Sequence, residues 1–503
     1  MPRGYAFVAP DMAGTGRSTG CADQGGRSDI ESIKVVIEWL NGNAVARNAA
    51  GEVVEATWSN GHTGMIGKSY DGTLANGVAA TGVEGLETIV PISAISSWYD
   101  YNRYQNAVKS TNSPSSLSTT IAQRRTIPTN CVATNAFMNA NDGDETGAYT
   151  DFWAERDYRE GSLYDVSKVT ASVFIMHGLQ DNNVRMRNAS TWWEDLGEAG
   201  VDRKTWLTRL GHVEPFDSDR DRWVDTLHRW LDHELMQVDN GILDEPAVDV
   251  EVAPGRWVAL DTWPSKSSRM MKLALRSDGT MRLGTKDDTT VSYVNSAGLS
   301  EANAVRIGAS PNKLQFLTGS TKSEVRISGT PTVDLEVTQG RPVGQLSVQR
   351  VDCGAMGRVR TTGDGDLTAA TESCWGSSTA VDDACYRDVT RRVGPTGLQI
   401  LARGWIRLDG EGTKNVTVEL QANDVVVPAG HQLGLVISGN RSGVTAIDTS
   451  AQTYSVNLAT SRLNLPIEGP MASFAPGQIK PEKTVDLREG TLPLLDEFMV
   501  PQP

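Results

Sequence analysis

The residues of this sequence that could do chemistry begin with a serine set among glycines. Residues 64–80 predict a strand, a tight turn and a helix, with Ser69 at the bend in the segment GKSYDG. A serine at such a bend has its Oγ pushed out over the sheet edge, and the flanking glycines remove Cβ atoms that would collide. The second glycine of the usual G-x-S-x-G pattern stands one place later here, at Gly72. We expect Ser69 to be a nucleophile and the backbone N–H of Tyr70 to bind the oxyanion; a glycine turn without chemistry is the alternative.

An acid and a base follow the serine in the order that serine hydrolases of the α/β type require. Asp181 follows an apolar strand pattern that ends at Gly178, and His212 follows a second strand pattern at 204–210. His177 is a rival base, but it precedes Asp181 and lies within the end of a strand. Each residue alone has a structural explanation, as a helix cap or a loop histidine. Their order after separate strands favours a Ser-Asp-His triad.

These segments resemble the Xaa-Pro dipeptidyl-peptidase family of serine peptidases, which includes cocaine-esterase-like and α-amino-acid ester hydrolases. The resemblance rests on residues 67–72, 177–184 and 211–212 and extends over nearly the whole chain. Residues 98–101 (WYDY) and 152–158 (FWAERDY) resemble the peptidase branch more than the esterase branch. The resemblance implies release of Xaa-Pro dipeptides from the amino termini of proline-containing peptides through an acyl-enzyme, and it implies no metal or organic cofactor.

Two aromatic residues are predicted to bind substrate. Trp98 and Tyr101 follow the strand pattern 85–92, on the side where ligands bind in open α/β sheets. Flat aromatic walls suit a proline ring, which is apolar and has no N–H to donate. The resemblance implies that they line the pocket for the penultimate residue; the alternative is that both are core residues.

A helical insertion is predicted to cap the site. From 102 to 168 the periodicity fades into a polar, Ser/Thr/Asn-rich sequence with short helical pieces. An exopeptidase needs an acid to hold the free α-amino group of its substrate. Glu155, Asp100 and Glu145 are candidates between which the residue types do not choose, and we take Glu155 as the substrate-binding prediction. The alternative is that a charged residue on a lid is only solvated.

The 503 residues predict two domains, because the chain is too long for one ordinary core. Residues 1–240 form the α/β-hydrolase domain, and residues 242–503 carry short strand patterns separated by Gly, Pro and Asp turns, which is typical of a β-sandwich. Residues 403–405 and 428–431 resemble the jelly-roll domain of the same family. The predicted fold class is therefore α/β plus all-β. The strand patterns are 258–260, 271–275, 333–337, 346–348, 416–420 and 433–437.

The amino terminus is expected to begin inside a sheet. Residues 3–11 (RGYAFVAPD) predict a buried parallel strand directly after Met1, whereas a mature domain seldom begins within its central sheet. In the family, further strands and an oxyanion-hole tyrosine precede this strand, so amino-terminal strands are expected to be missing. An inactive truncated fragment and a carbohydrate-binding protein therefore stay open as alternatives, beside an ester or α-amino-acid ester hydrolase.

The net charge and the cysteines of the sequence limit which partners and which cellular compartment can be expected. The net charge of −15 argues against nucleic acid or an anionic membrane as a partner, and no apolar run approaches the roughly 20 residues that span a bilayer. Among the five cysteines, Cys374 and Cys385 are expected to form a short-loop disulfide, which favours export, with any signal peptide absent from this chain. A cytoplasmic location is the alternative. C-x-x-C spacing is absent, which argues against zinc, and homo-oligomerisation is left open.

Overall fold

In the computed structural model the chain forms an α/β part followed by an all-β part. The structure describes residues 4–284, 286–360, 362–380, 382–439 and 451–469. The end of the predicted second domain, residues 470–503, lies outside this description. Among the described helices, none is both long and apolar enough to cross a membrane.

One six-stranded sheet organises the first part. The strands of this part are β1 (Ala46–Arg47), β2 (Val53–Val54), β3 (Thr63–Lys68), β4 (Leu86–Ile92), β5 (Arg103–Tyr104), β6 (Ala107–Val108), β7 (Ser172–Gly178), β8 (Arg203–Thr208), β9 (Val248–Ala253) and β10 (Arg256–Leu260). The order across the sheet is β10-β9-β8-β7-β4-β3. Strands β3, β4, β7, β8 and β9 run parallel, and β10 pairs antiparallel with β9. The carboxyl ends of the parallel strands therefore meet at one edge, where a site can form.

Helices cover both faces of this sheet. The helices of this part are α1 (Arg27–Leu40), α2 (Tyr70–Ala79), α3 (Trp98–Asn102), α4 (Ser113–Ile121), α5 (Val132–Asn141), α6 (Asp151–Ala154), α7 (Arg187–Glu198), α8 (Pro215–Ser218) and α9 (Arg220–Met236), of which α1, α2, α7 and α9 pack on the sheet. The neighbouring β4 residues Ile89 and Val90 point to opposite faces. Ile89 belongs to a core with Ile30 of α1 and Val78 of α2, whereas Val90 belongs to a core with Trp230 of α9. Burial on both faces explains the continuous apolar runs 89–92 of β4 and 173–176 of β7.

Short helices fill the segment between β4 and β7. Helices α3 to α6 and the small β5-β6 ribbon lie here, outside the main sheet. The 3-10 helices Ala122–Arg124 and Val166–Lys168 also lie in this segment, whereas Ile242–Asp244 and Thr362–Gly365 lie further along the chain. We call the segment 102–168 the insertion.

The second part is built almost entirely of strands. They are β11 (Arg269–Leu275), β12 (Met281–Leu283), β13 (Thr290–Val294), β14 (Lys313–Leu317), β15 (Val325–Gly329), β16 (Thr332–Gln339), β17 (Val343–Val359), β18 (Asp366–Cys374), β19 (Cys385–Arg391), β20 (Val393–Asp409), β21 (Gly412–Glu419), β22 (Asn423–Val427), β23 (Gln432–Ser438) and β24 (Thr453–Glu468), and the helix α10 (Glu301–Val305) lies among them. An eight-stranded sheet and a four-stranded sheet share one core, in which Leu273 of β11 packs with Val348 of β17 and Leu435 of β23. The prediction that this part is all-β is confirmed, and the jelly-roll connectivity stays a prediction.

The predicted strand over residues 3–11 is wrong. No strand is assigned to the described residues 4–12, and the side chain of Phe7 is 67% exposed. The segment runs beside α9, where the Tyr5 hydroxyl donates to Asp232, and a groove of about 410 Å³ lies between it and β3. An apolar run indicates a tendency to be buried, but it does not name the strand with which the run would pair.

The strand predicted at 258–260 is present, but it lies in the six-stranded sheet of the α/β part. It forms part of β10, which extends the α/β sheet past residue 242 instead of joining the β-sandwich. A short half-buried strand has the same alternation at the edge of either sheet, so its periodicity could not assign it.

Candidate active site

Ser69 stands at the bend between β3 and α2. Its φ of 58° and ψ of −119° are strained for a residue with a side chain. A Cβ at Gly67 would lie 2.6 Å from the Cβ of Asp71, and one at Gly72 would lie 2.5 Å from the Gly67 carbonyl oxygen. The glycine that stands one place late therefore serves the same turn. The Ser69 hydroxyl makes no capping bond to α2, which leaves it available to react.

Asp181 and His212 form a hydrogen-bonded pair. His212 Nδ1 lies 2.7 Å from Asp181 Oδ2, and the aspartate side chain is fully buried. The other oxygen of Asp181 accepts the backbone N–H groups of Asn183 at 2.8 Å and Val184 at 2.9 Å. These bonds fix the carboxylate so that it holds the proton on Nδ1 and leaves Nε2 free to act as a base.

The three predicted triad residues follow β3, β7 and β8, whose carboxyl ends lie at one edge of the sheet. Backbone bonds tie these ends together, since Ser69 N–H donates to Ile92 O and Ser93 N–H donates to Met176 O, both at 2.8 Å. Among the described residues, His212 makes its side-chain hydrogen bond to Asp181 and none to Ser69 Oγ. Catalytic hydrogen bonds often tighten only when substrate binds. The arrangement is able to support nucleophilic attack by Ser69.

Tyr70 begins helix α2, so its N–H has no acceptor within the helix and lies at the positive end of the helix dipole. Its hydroxyl donates to Asp29 Oδ2 at 2.5 Å, and its ring packs 5.1 Å from that of Trp98. Burial, together with the charge of Asp23, raises the pKa of Asp29 to about 8. The side chain of Tyr70 is thus held in place while its N–H is available to an anion.

Trp98 and Tyr101 pack edge to face, with ring centroids 5.6 Å apart. Trp98 is fully buried, and its indole N–H donates to Tyr158 Oη at 3.0 Å. Tyr101 is half-buried, and its hydroxyl donates to Asn183 Oδ1 beside Asp181 at 3.1 Å. We call residues 179–186, between β7 and α7, the acid loop. The ring of Tyr101 therefore lies next to the acid loop, and the buried Trp98 packs against it.

Lys109 is a site neighbour that sequence reasoning missed. Its Nζ lies 4.1 Å from the ring centroid of Tyr101 and donates to Asn183 O at 3.2 Å. Burial, reinforced by the charge of Arg185, lowers the pKa of Lys109 to about 7. The polar insertion carries no local pattern that would have singled out this lysine.

The candidate acids differ sharply in their surroundings. Asp100 is buried between Arg159 at 2.9 Å and Arg187 at 3.1 Å, so two guanidinium groups already neutralise it. Glu155 is 46% exposed and lies 3.5 Å from Arg156. Asp100 is therefore unsuited to bind a substrate ammonium group, whereas Glu155 remains accessible.

His177 supports the site without facing it. Its Nε2 donates to Val184 O at 2.9 Å and lies 3.9 Å from Asp181 Oδ2. Burial lowers the pKa of His177, so it stays neutral behind the acid loop.

Two disulfides are present in the described residues. Cys374–Cys385 was predicted and joins β18 to β19, whereas Cys21–Cys131 was not predicted, because its cysteines are 110 residues apart. Cys353 is a buried free thiol. Across the described ranges, no three or more His, Cys, Asp or Glu side chains form a group that could hold a metal ion.

Comparisons with known families and known proteins agree over most of the chain. Residues 1–214 match the family described as X-Pro dipeptidyl-peptidase (S15 family), and residues 240–480 match the X-Pro dipeptidyl-peptidase C-terminal non-catalytic domain. A Streptomyces avermitilis protein is 41% identical over 94% of this chain and 72% of its own length. A Bacillus cereus protein is 34% identical over 93% of this chain and 76% of its own length. Both are named "Putative Xaa-Pro dipeptidyl-peptidase".

Solved structures show the same architecture. A CocE/NonD family hydrolase from Staphylococcus aureus matches with a TM-score of 0.63 and 14% identity, over 91% of this chain and 79% of that protein. An α-amino acid ester hydrolase matches with a TM-score of 0.59 and 16% identity, over 89% and 80%. At these identities the likeness shows the fold alone. The predicted α/β-hydrolase domain followed by an all-β domain is confirmed.

Proposed function

This chain belongs to the X-Pro dipeptidyl-peptidase (S15) family of serine peptidases, and we propose that Ser69, His212 and Asp181 are its nucleophile, base and orienting acid. The observation that carries the proposal is the strained Ser69 at the same sheet edge as the hydrogen-bonded Asp181–His212 pair. The proposed substrate is a peptide whose second residue is proline, and the product is its amino-terminal Xaa-Pro dipeptide.

The reaction is an acyl transfer. His212 Nε2 takes the proton of Ser69 Oγ while Oγ bonds to the carbonyl carbon of the second residue, whose C=O π electrons move to the oxygen, and Asp181 stabilises the imidazolium that forms. The Tyr70 N–H donates to the tetrahedral oxyanion, and losing one such donor costs about 3 kcal/mol of transition-state stabilisation. His212 then protonates the leaving amine. A water activated by the same imidazole hydrolyses the acyl-enzyme and releases the dipeptide.

The ring of Tyr101 forms the wall of the proposed proline pocket, and the fully buried Trp98 holds that ring in place. The half-buried ring of Tyr101 offers a flat apolar surface beside the acid loop, which suits a rigid ring without an N–H. Glu155 is the proposed acceptor for the substrate α-amino group. Its contact with Arg156 is long, at 3.5 Å, so a substrate ammonium group can compete for the carboxylate.

Hydrolysis of simple or α-amino-acid esters would use the same triad. The relatives at 41% and 34% identity carry the peptidase name, whereas the ester hydrolase is a likeness of fold alone. Peptidase activity is therefore preferred, and the ester reaction becomes an outcome of the test.

The test compares release of nitroaniline from glycyl-proline nitroanilide with hydrolysis of an aryl ester. The unmutated chain and its Ser69→Ala variant are assayed in parallel, and a fluorophosphonate probe reports whether Ser69 is reactive. Serine-dependent nitroaniline release supports the proposal. Ester turnover alone would favour the ester hydrolase, and a folded chain that the probe does not label would favour a fragment or a carbohydrate-binding protein.

The two disulfides support export to an oxidising compartment, where such bonds persist. Their cysteines lie in both halves of the chain, so the same redox environment suits both parts.

A further inference from the structure

A loop of the all-β part contacts the backbone that carries His212. Asp364 lies in the short 3-10 helix Thr362–Gly365, between β17 and β18. Its carbonyl oxygen accepts the N–H of Gly211 at 2.8 Å, and its Oδ1 accepts the N–H of His212 at 3.1 Å. One residue therefore binds the donors of two consecutive peptide units.

The fit between the two loops is tight. A Cβ at Gly211 would lie 2.4 Å from Asp364 Oδ1 and 3.0 Å from Asp364 Cα, so the approach requires glycine at that position. On the strand β7 side, a Cβ at Gly178 would lie 2.1 Å from the carbonyl oxygen of Gly211. We call residues 209–214, between β8 and α8, the histidine loop. This loop is thus held between the end of β7 and Asp364.

The Asp364 loop is itself anchored. The carbonyl oxygen of Gly365 accepts the N–H of Arg392 at 2.8 Å, and the preceding Val359 shares a buried core with Leu210 and Val213 of the histidine loop. Asp364 has a φ of 61°, a left-handed conformation that aspartate, asparagine and glycine tolerate better than other residues.

We propose that Asp364 is a positioning residue for His212, supplied by the part of the chain that matches a domain described as non-catalytic. Asp181 fixes the rotation of the imidazole through its bond to Nδ1. The position of the imidazole relative to Ser69 depends in addition on the orientation of the His212 peptide plane. Removing the Asp364 carboxylate frees that plane, and a misplacement of about 1 Å costs on the order of 100-fold in rate. The inference rests on the proposed function only in taking Ser69 and His212 as nucleophile and base.

The test compares Asp364→Gly with Asp364→Asn. Both new residues tolerate the left-handed conformation, but only asparagine keeps an oxygen that can accept the His212 N–H. The Asp364 carbonyl oxygen still holds Gly211 in Asp364→Gly, so the displacement of His212 is smaller than about 1 Å. We therefore expect Asp364→Gly to lower kcat about ten-fold with KM within about two-fold, and Asp364→Asn to stay within about two-fold of the unmutated protein. The rate at which fluorophosphonate labels Ser69 should fall in parallel with kcat, because labelling needs the base but not the peptide.

The outcomes separate this inference from the proposed function. Equal labelling and kcat in all three proteins, or equal losses in both variants, would overturn the inference alone. An unmutated protein that the probe does not label would overturn the proposed function and the inference with it. Gly211→Ala tests the same contact from the other side if Asp364→Gly does not fold, and a kcat that Gly211→Ala leaves unchanged would overturn the inference.

Discussion

Replacing Gly72 by alanine tests whether the displaced glycine is part of the elbow. The added Cβ would lie 2.5 Å from the carbonyl oxygen of Gly67, and 3.1 Å from both the Cβ of Ala94 and the backbone nitrogen of Ile92. Ordinary van der Waals contact begins at 3.4 Å, so the Gly67 carbonyl and the helix start must separate by roughly 0.9 Å. A backbone carbonyl cannot rotate away as a flexible side chain can. The strain therefore passes to Ser69, which lies between the two glycines.

Two effects of opposite sign decide the magnitude. Alanine is a better helix former than glycine by about 0.5 to 1 kcal/mol, and Gly72 lies within α2. Overpacking costs about 1 to 3 kcal/mol, so we expect a net loss of about 1 kcal/mol in the free energy of unfolding. The effect on rate is larger, because moving a nucleophile by about 1 Å costs on the order of 100-fold in kcat, equivalent to about 2.7 kcal/mol of activation free energy.

The assay is nitroaniline release under saturating glycyl-proline nitroanilide, with thermal unfolding measured on the same samples. Gly357→Ala is the matched control, because its Cβ would meet Val393 Cγ1 at an ordinary 3.7 Å. We expect Gly72→Ala to lose most of its kcat with a small loss of stability, and Gly357→Ala to keep its kcat. Full activity in Gly72→Ala would refute the assignment of that glycine to the elbow.

Three further outcomes are expected. Asp181→Asn should lower kcat by about 10³ to 10⁴-fold, because a carboxamide no longer holds the productive tautomer of His212; kinetics on the same nitroanilide check this, and a near-normal kcat would contradict it. Burial raises the pKa of Glu214 from 4.5 to about 7, although the charge of Lys68 opposes this. The folded protein thus keeps a proton that the unfolded chain releases, so Glu214 lowers stability as pH rises through this window. Glu214→Gln should therefore raise the unfolding temperature more at pH 8 than at pH 5, and equal shifts would refute the reasoning. Thiol titration of the denatured, unreduced chain should find one free thiol, that of Cys353, and a count of three or five would show that one or both disulfides are not formed.

The placement of Ser69 at a bend and of Asp181 and His212 after strand ends was predictable, because the signals for it are local. A glycine-flanked Ser69 and the strand ends before Asp181 and His212 can each be recognised within about ten residues of sequence. The parallel sheet then brings these strand ends to one edge, as the topology rules require. The Cys374–Cys385 disulfide was predictable for the same reason, since its cysteines flank one short loop.

The contacts that sequence reasoning missed join distant segments. Asp364 meets His212 across 152 residues, and Cys21 meets Cys131 across 110. Neither pair has a periodicity or spacing that a local pattern could reveal. The same limit explains Lys109, whose environment depends on how the insertion folds over the acid loop.

The Cys21–Cys131 disulfide has a consequence for where the insertion can go. Cys21 precedes α1, whose Asp29 holds Tyr70, and Cys131 precedes α5 of the insertion. The disulfide therefore joins the start of α5 covalently to the segment before α1, which holds Tyr70 through Asp29. The insertion cannot separate from the region of the elbow unless this bond is reduced, so a reducing solution should loosen the insertion before it unfolds the sheet.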